Sequence, residues 1–304
     1  MALIDIYCEI GFIKKFYDFV PQIEVGTDNK DVEYWIKLDN FFAQTELAIT
    51  FDIDKEQFTA TLDEETNLGI TLTEWLQLHY DDKKHLGFGK NVDGSINTKN
   101  AVGCQRLFFL DKPQTFCSQL TDNYGLLFIS SENFLENKNI HILFSKDSPE
   151  INAKNANWRF LKKYHTCNFI ILADKFLCPS DNPYKQNIFI DTMRKLFDSL
   201  LPEKLEHCPF NIHIFTEPII PNYREKMKDE IDQLREYDVI ITFHPSIHHD
   251  RHLITNYFDM KSGYGFVLTN KEKESGTILD ICPLTDINNN YIVETYIKKS
   301  VFNQ

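Results

Sequence analysis

The sequence predicts a chain of the α/β (α+β) class in two parts, a β-rich domain over residues 1–150 and an α/β domain over residues 151–304. Three observations favour this division. After residue 165, apolar runs alternate with amphipathic helical patterns, whereas the first half is dominated by strand patterns. The segment KDSPEINAKNANW between them is polar, contains proline and lacks periodicity, as a linker does. The first 150 residues carry 25 acidic and 13 basic side chains, and the remainder carries 20 and 19.

In the first half, short patterns predict the elements in order. ELAITFDIDKEQFTATLDEE alternates apolar and polar residues around Asp54 and Lys55, which predicts a β-hairpin. GITLTEWLQLHY predicts a short helix, because Thr71 and Glu74 have the spacing of a capping box. RLFFL, YGLLFIS and NIHILFS predict buried strands. GFGKNVDG lacks the spacing of a phosphate-binding loop, so it predicts a surface turn.

The second half has a more regular order of elements. CNFIILADKFLC, FNIHIFTE and DVIITFH predict three strands. Between them, NIFIDTMRKLFDSLLP and NYREKMKDEIDQLREY each place apolar residues at helical spacing. The order β-α-β-α-β predicts a mixed sheet, at least partly parallel, with covering helices and with ligands near the strand ends.

Charge and cysteine content restrict the classes of function. The formal charge of −13 belongs almost entirely to the first half, so a polyanion would be repelled mainly there, and that half suits docking to a protein partner. The seven cysteines are scattered and never spaced as C-x-x-C, which predicts reduced thiols rather than a disulfide framework or a cysteine zinc site. The sequence shows neither a signal-peptide pattern nor an apolar run of about 18 residues, so we expect a cytoplasmic protein without a transmembrane segment.

The stretch SIHHDRHLITNYFDMKSGYGF concentrates the residues that suggest chemistry. If HDRHLI is extended, His249 and Arg251 share one face of the strand. A guanidinium beside an imidazole suits a phosphoryl group, because the arginine fork binds two phosphate oxygens and the imidazole can donate a hydrogen bond or attack phosphorus.

These residues resemble a motif of the phospholipase D superfamily. That motif reads H-x-K-x-x-x-x-D and is followed about six residues later by a glycine-containing turn. Here the chain has His249, Arg251 and Asn256 at the same spacing, and then Gly263. HDR followed by SGYGF is closest to the phospholipase-D-like C-terminal domain of MIT-domain proteins, which act with the membrane-scission machinery. The resemblance covers about residues 165–304 and implies a phospholipase-D-like fold there.

The departures from the motif favour binding over cleavage. The catalytic superfamily brings two such motifs together, and this chain contains no second H-x-K or H-x-R. Asn256 would orient His249 without a carboxylate's charge, and the comparable change in a catalytic triad costs roughly 10⁴ in rate. We therefore expect a degenerate module that binds a phosphate-bearing ligand, most naturally nucleic acid, within a bacterial multi-protein assembly such as a phage-defence system. Arg251 and the turn residues Ser262, Gly263 and Gly265 would hold the phosphate.

Several alternatives stay open. A homodimer that pairs two copies of His249 would be a metal-independent phosphodiesterase or nuclease, and lipid headgroups are another source of phosphate. The domain could instead be a non-catalytic interaction scaffold in which His249 and Arg251 only stabilise the fold. No cofactor is expected. A metal site would draw on the dense set His244, His248, His249, Asp250 and His252, but Pro245 interrupts its helical spacing. Tyr257, Tyr264 and Phe266 could stack on bases.

Overall fold

The computed structural model describes the chain in two units, and each is taken by itself. The first comprises Met1–Thr121 and Leu126–Phe144, and the second comprises Asp122–Gly125 and Ser145–Gln304. The structure describes residues 4–19, 30–43, 47–63, 67–80, 85–96, 105–135, 140–144, 146–151, 158–177, 183–263, 265–266, 277–285 and 290–301. Each unit combines helices with one sheet, five-stranded in the first and seven-stranded in the second, so the α/β class predicted from the sequence is confirmed.

The first unit is built on a parallel five-stranded sheet of order β3-β2-β1-β4-β5. Its strands are β1 (Ile4–Cys8), β2 (Leu47–Phe51), β3 (His85–Gly87), β4 (Gln105–Leu110) and β5 (Leu127–Ser130). Its helices are α1 (Ile10–Asp18), α2 (Lys30–Phe42), α3 (Lys55–Ala60), α4 (Asn67–Tyr80), α5 (Val92–Ile96), α6 (Gln114–Tyr124) and α7 (Ile140–Phe144), with a 3₁₀ turn at Thr61–Asp63. The last three residues of α6 are assigned to the second unit. Parallel neighbours need crossover connections, which these helices supply.

The core of the first unit is rich in phenylalanine. Phe12 of α1 and Phe42 of α2 both contact Phe109 of β4, with ring centroids 5.0 and 4.9 Å apart. All three rings are buried. The apolar face of the two helices therefore packs directly on the sheet, which explains why the sequence needs so many aromatic residues here.

Two predictions for this half are wrong, and the expected β-rich domain is instead a parallel α/β sheet. Asp54 caps α3 rather than turning a hairpin: its carboxylate accepts a hydrogen bond from the Gln57 amide at 2.7 Å, and the Gln57 side chain accepts one from the Asp54 amide at 3.3 Å. This capping box outweighs the polar–apolar alternation. The run NIHILFS contains α7 rather than a strand, because a short apolar run does not distinguish the two by periodicity. The helix predicted from GITLTEWLQLHY is confirmed, but it begins at Asn67, so Thr71 is not its cap.

The second unit contains a seven-stranded mixed sheet of order β6-β12-β11-β10-β7-β8-β9. Its strands are β6 (Glu150–Ile151), β7 (Phe169–Ala173), β8 (Phe210–Thr216), β9 (Val239–Pro245), β10 (His252–Thr255), β11 (Phe258–Ser262) and β12 (Thr277–Pro283). The helices α8 (Pro183–Leu200), α9 (Pro221–Asp232) and α10 (Asn290–Val301) accompany them, with a 3₁₀ helix at Arg159–Tyr164. The predicted order β-α-β-α-β is confirmed in β7–α8–β8–α9–β9, whose strands are parallel.

The mixed pairing determines what meets at each edge of this sheet. β10 runs antiparallel to β7, with His252 opposite Ala173, and β11 runs antiparallel to β10. The carboxyl ends of β7, β8 and β11 therefore lie at the same edge as the beginning of β10. One sheet face packs against α10 through a buried cluster that includes Phe169, Phe215, Ile254 and Tyr296. Among the described helices, none combines the length and apolar character needed to cross a membrane.

Candidate functional site

The edge just defined holds the residues that the sequence singled out before β10. Asp174 and Lys175 follow β7 directly, Glu217 follows β8, and Arg251 precedes β10. Backbone hydrogen bonds hold this edge together, because the Glu217 amide donates to the Lys175 carbonyl at 3.0 Å and the Ser262 amide to the Arg251 carbonyl at 3.1 Å. Parallel strands commonly place ligand-binding residues at their carboxyl ends.

Arg251 is held between a buried carboxylate and the glycine turn. Its Nη1 donates to the Gly263 carbonyl at 3.0 Å, and its Nε lies 3.6 Å from Oδ1 of Asp174. Asp174 also accepts hydrogen bonds from the Phe176 and Phe266 amides. Burial raises the pKa of the Asp174 carboxyl, while these amides and Arg251 act in the opposite direction. Arg251 keeps 27% of its side chain exposed, so part of the guanidinium still faces solvent.

The glycine turn is shaped around Asp174. Gly265 has a φ of 91°, and a Cβ at that position would lie 2.7 Å from Oδ2 of Asp174. The Ser262 hydroxyl donates to the Gly265 carbonyl at 2.8 Å. The expectation that Ser262, Gly263 and Gly265 hold phosphate stays a prediction. In the structure Ser262 is buried and the Gly263 carbonyl accepts a hydrogen bond from Arg251, so the contacts described for the turn fix the arginine.

His249 contacts a lysine that the motif did not contain. Nζ of Lys175 lies 3.3 Å from Nε2 of His249 and 3.7 Å from Oε1 of Glu217. The imidazole is exposed, and its ring centroid is 6.1 Å from that of Phe176. Lys175 was not among the predicted site residues, because it lies outside the motif formed by His249, Arg251 and Asn256. The signal was present, since a charged pair comes directly after the buried strand FIILA.

Asn256 does not join this site, and its predicted role in orienting His249 is wrong. It follows β10 at the end opposite to Arg251 and is 1% exposed. Its Nδ2 donates to Oδ1 of Asn168 at 3.0 Å, and its Oδ1 accepts from the Asn168 amide at 3.0 Å. The four residues of β10 separate Asn256 from Arg251, so the two lie at opposite ends of the strand. Asn256 therefore has the spacing of the motif but forms a structural amide pair with Asn168.

Two of the three aromatic residues proposed to stack on bases are buried. Tyr257 and Phe266 are buried at 3% and 0% exposure, so they belong to the core. Tyr264 lies outside the described residues. The only aromatic side chain described beside His249 is Phe176, whose ring is 49% exposed. Lys175 lies over the Phe176 ring, with its Nζ 5.4 Å from the centroid.

Two of the remaining histidines of the dense set, His244 and His252, lie in separate contacts. His244 lies with Nε2 3.0 Å from Nδ1 of His213, and His252 lies with Nδ1 2.9 Å from the Asp259 carboxylate. Both His252 and Asp259 are buried. Across the described ranges, no group of three or more histidine, cysteine, aspartate or glutamate side chains is arranged to hold a metal ion.

Comparison with known proteins adds no assignment, since no model of a protein family matches the sequence and no curated protein matches it significantly. The class of molecule is therefore defined by its fold and by the edge of the second sheet alone. It is an α/β protein whose mixed sheet places Lys175, His249 and Arg251 at one edge.

Proposed function

We propose that the second unit binds a phosphate group of a nucleic acid at the edge formed by Lys175, His249 and Arg251. One observation carries the proposal. Asp174 and Lys175 are consecutive, and Asp174 contacts Arg251 while Lys175 contacts His249. Two neighbouring positions at the end of β7 thus hold both members of the histidine–arginine pair.

The chemistry of the three side chains suits an anion. A guanidinium and an ammonium are positively charged donors, and charge-assisted hydrogen bonds to phosphate are among the stronger polar contacts. Lys175 and Arg251 are each 27% exposed, so both are reachable and partly pre-ordered. Pre-ordering by Asp174 and Glu217 lowers the entropy that binding would cost, although each carboxylate also offsets part of the positive charge.

Retention of phosphate is favoured over cleavage by the position of Asn256. A nucleophilic imidazole is normally oriented by a carboxylate or amide on its other nitrogen. Asn256, the residue at the motif's third position, is instead bonded to Asn168. The contacts described for His249 are the Lys175 ammonium and the Phe176 ring, and neither stabilises a developing imidazolium as a carboxylate would.

The test is binding of labelled single- and double-stranded DNA and RNA in EDTA, with gel shift and cleavage scored on the same samples. Lys175→Gln and Arg251→Gln should each weaken binding to every sequence. Lys195→Gln is the matched control, because Lys195 pairs with Asp191 on the exposed surface of α8 and should leave binding unchanged. Equal binding by all the variants would reject the site and favour the interaction scaffold.

The phosphodiesterase alternative has one observation in its favour, the lysine beside His249. A histidine–lysine pair is what the motif supplies in the catalytic superfamily, and a homodimer would bring in the second histidine. Cleavage in EDTA that disappears in His249→Ala and rises with dimer concentration would establish this activity. Binding without cleavage would leave the phosphate-holding role as the function of the edge.

A further inference from the structure

The first unit carries a polar pocket on one face of its parallel sheet. The pocket has a volume of about 220 Å³ and lies entirely within that unit. Its polar lining comes from three strands and from the segment around α5: Asp5, Tyr7, Thr50, Lys90, Ser95 and Arg106. It is independent of the edge in the second unit.

The strand register explains how these residues meet. Asp5 of β1 stands opposite Ala48 of β2 and Arg106 of β4, and all three side chains point to the same face. One step along that face, Tyr7 stands opposite Thr50, and Thr50 stands opposite Gly87 of β3. The small residues Ala48 and Thr50 of β2 and Gly87 of β3 leave room above the sheet, and the pocket lies over this part of the face.

The two faces of the central strand differ sharply. On the opposite face, Ile4, Ile6 and Cys8 are buried among apolar neighbours. Strands of a parallel sheet are normally apolar on both faces, because helices cover both. An aspartate and an arginine at the centre of such a sheet are unusual, and a ligand that needs them gives a reason for their presence.

The charges and hydroxyls define the class of ligand. Arg106 Nη2 is 3.7 Å from Oδ2 of Asp5, which is longer than a hydrogen bond, and Nη1 donates to the Ser95 carbonyl at 2.6 Å. The Asp5 side chain is 46% exposed and Arg106 only 12%, so the arginine is fixed while the carboxylate remains reachable. The lining carries two cations and one carboxylate. Besides burial, the nearby carboxylates of Glu9, Asp52 and Asp93 raise the pKa of the lining residue Tyr7, so Lys90 and Arg106 are the cationic groups of a largely acidic surrounding.

We infer that this pocket binds a small phosphate monoester of a polyol, the size of a sugar phosphate. Arg106 and Lys90 would hold the phosphate. The Asp5 carboxylate would accept hydrogen bonds from the ligand's hydroxyls, and the Thr50 hydroxyl would donate one to them. The volume lies below the range of about 300–1,000 Å³ usual for drug-sized ligands, so the pocket suits a ligand smaller than a nucleotide.

The test uses the full chain with ribose 5-phosphate as the probe, followed by amide hydrogen exchange and mass spectrometry. Ribose and inorganic phosphate are parallel arms that separate the contribution of the polyol from that of the phosphate. We expect slower exchange in peptides covering Ile4–Cys8 and Gln105–Leu110. Lys90→Gln and Arg106→Gln should weaken binding about tenfold or more, as the loss of a charge-assisted contact does.

Lys55→Gln is the control, because Lys55 is exposed at the start of α3 and does not line the pocket. Lys90 is also exposed, so Lys90→Gln tests the site even if Arg106→Gln fails to fold. Protection that persists in Lys90→Gln, or no protection of the β1 and β4 peptides in the native chain, would overturn the inference. Protection confined to peptides around His249 would also overturn it, while supporting the phosphate site of the second unit.

Discussion

At the scale of single residues, the contact between His213 and His244 in the second unit makes the stability of the chain depend on pH. His213 is 3% exposed, and its Nδ1 lies 3.0 Å from Nε2 of His244. Burial, and then the neighbouring His244, lower the pKa of His213 to about 4, and burial lowers the pKa of His244 as well. Both imidazoles are therefore neutral in the folded chain at pH 7, and one can donate to the other.

This pair should make the unfolding free energy fall as the pH is lowered. Between pH 6.5 and about 4, the unfolded chain binds a proton at position 213 and the folded chain does not, so stability rises with pH in this window. The contribution is complete above pH 6.5 and amounts to on the order of 3 kcal/mol, at about 1.4 kcal/mol per pH unit. Urea unfolding from pH 4 to 7.5 measures it. His213→Gln should flatten the curve in this window, and a variant curve parallel to the native one would contradict the assignment.

A second prediction at this scale concerns Gly265. Its φ of 91° and the 2.7 Å approach of Asp174 Oδ2 make Gly265→Ala costly, by about 1–3 kcal/mol of the unfolding free energy. Gly89→Ala is the matched comparison, since Gly89 also has a positive φ, of 70°, but a Cβ added there would meet no atom of the described residues within 4 Å. Denaturant unfolding should show the larger loss for Gly265, and nucleic acid binding should weaken only there, because Asp174 positions Arg251. Equal losses would mean that backbone strain alone matters.

At the scale of elements, Asn256 and Asn168 connect the end of β10 to the residue before β7. Asn168 also donates through its Nδ2 to the Tyr124 carbonyl at 2.9 Å, so its amide orientation is fixed. The acceptor Oδ1 of Asn168 therefore has to meet a donor on Asn256. This pairing aligns two neighbouring antiparallel strands, in keeping with their register of Thr255 opposite Ile170.

The variant Asn256→Asp distinguishes two roles of Asn256, a remnant of a catalytic motif and a structural amide pair. If Asn256 belonged to a degenerate catalytic motif, restoring the aspartate should raise any phosphodiesterase activity. The amide pair predicts instead a loss of about 1–3 kcal/mol or more in the unfolding free energy, because a buried carboxylate would face an acceptor, with no gain in cleavage. Asn222→Asp, on the exposed start of α9, should change stability by less than about 0.5 kcal/mol. Thermal unfolding and a cleavage assay in EDTA together decide between the two views.

The elements also show what could be predicted from the sequence. The strands β7, β8 and β9 and the helices between them were predictable, because long apolar runs and 3.6-residue periodicity are local signals. Arg251 and His249 were predictable as a pair, yet Lys175 becomes their neighbour only through the pairing of β7 with β10, 74 residues from His249. Asn168 and Asn256 are 88 residues apart. Contacts of this kind depend on which strands pair, and a local pattern does not identify a partner strand that lies far away in the sequence.

For the whole molecule, the uneven charge limits how a polyanion can bind. The first 150 residues hold nearly all of the net charge of −13, so binding should depend on a few contacts in the second unit rather than on a broad basic surface. At that edge, Lys175 and Arg251 are the permanently charged groups among the three side chains proposed to hold phosphate. A small footprint of this kind has a measurable consequence in the dependence of affinity on salt.

With two charged contacts to duplex DNA, the logarithm of the association constant should fall against the logarithm of salt concentration with a slope of about −1.8. Lys175→Gln should reduce the slope to about −0.9 and weaken binding similarly for every sequence, because a phosphate contact carries no sequence information. Fluorescence anisotropy between about 25 and 200 mM salt measures both slopes. Lys195→Gln is the control and should keep the native slope. A native slope steeper than about −4 would show that the footprint extends well beyond Lys175 and Arg251, and an unchanged slope in Lys175→Gln would remove Lys175 from it.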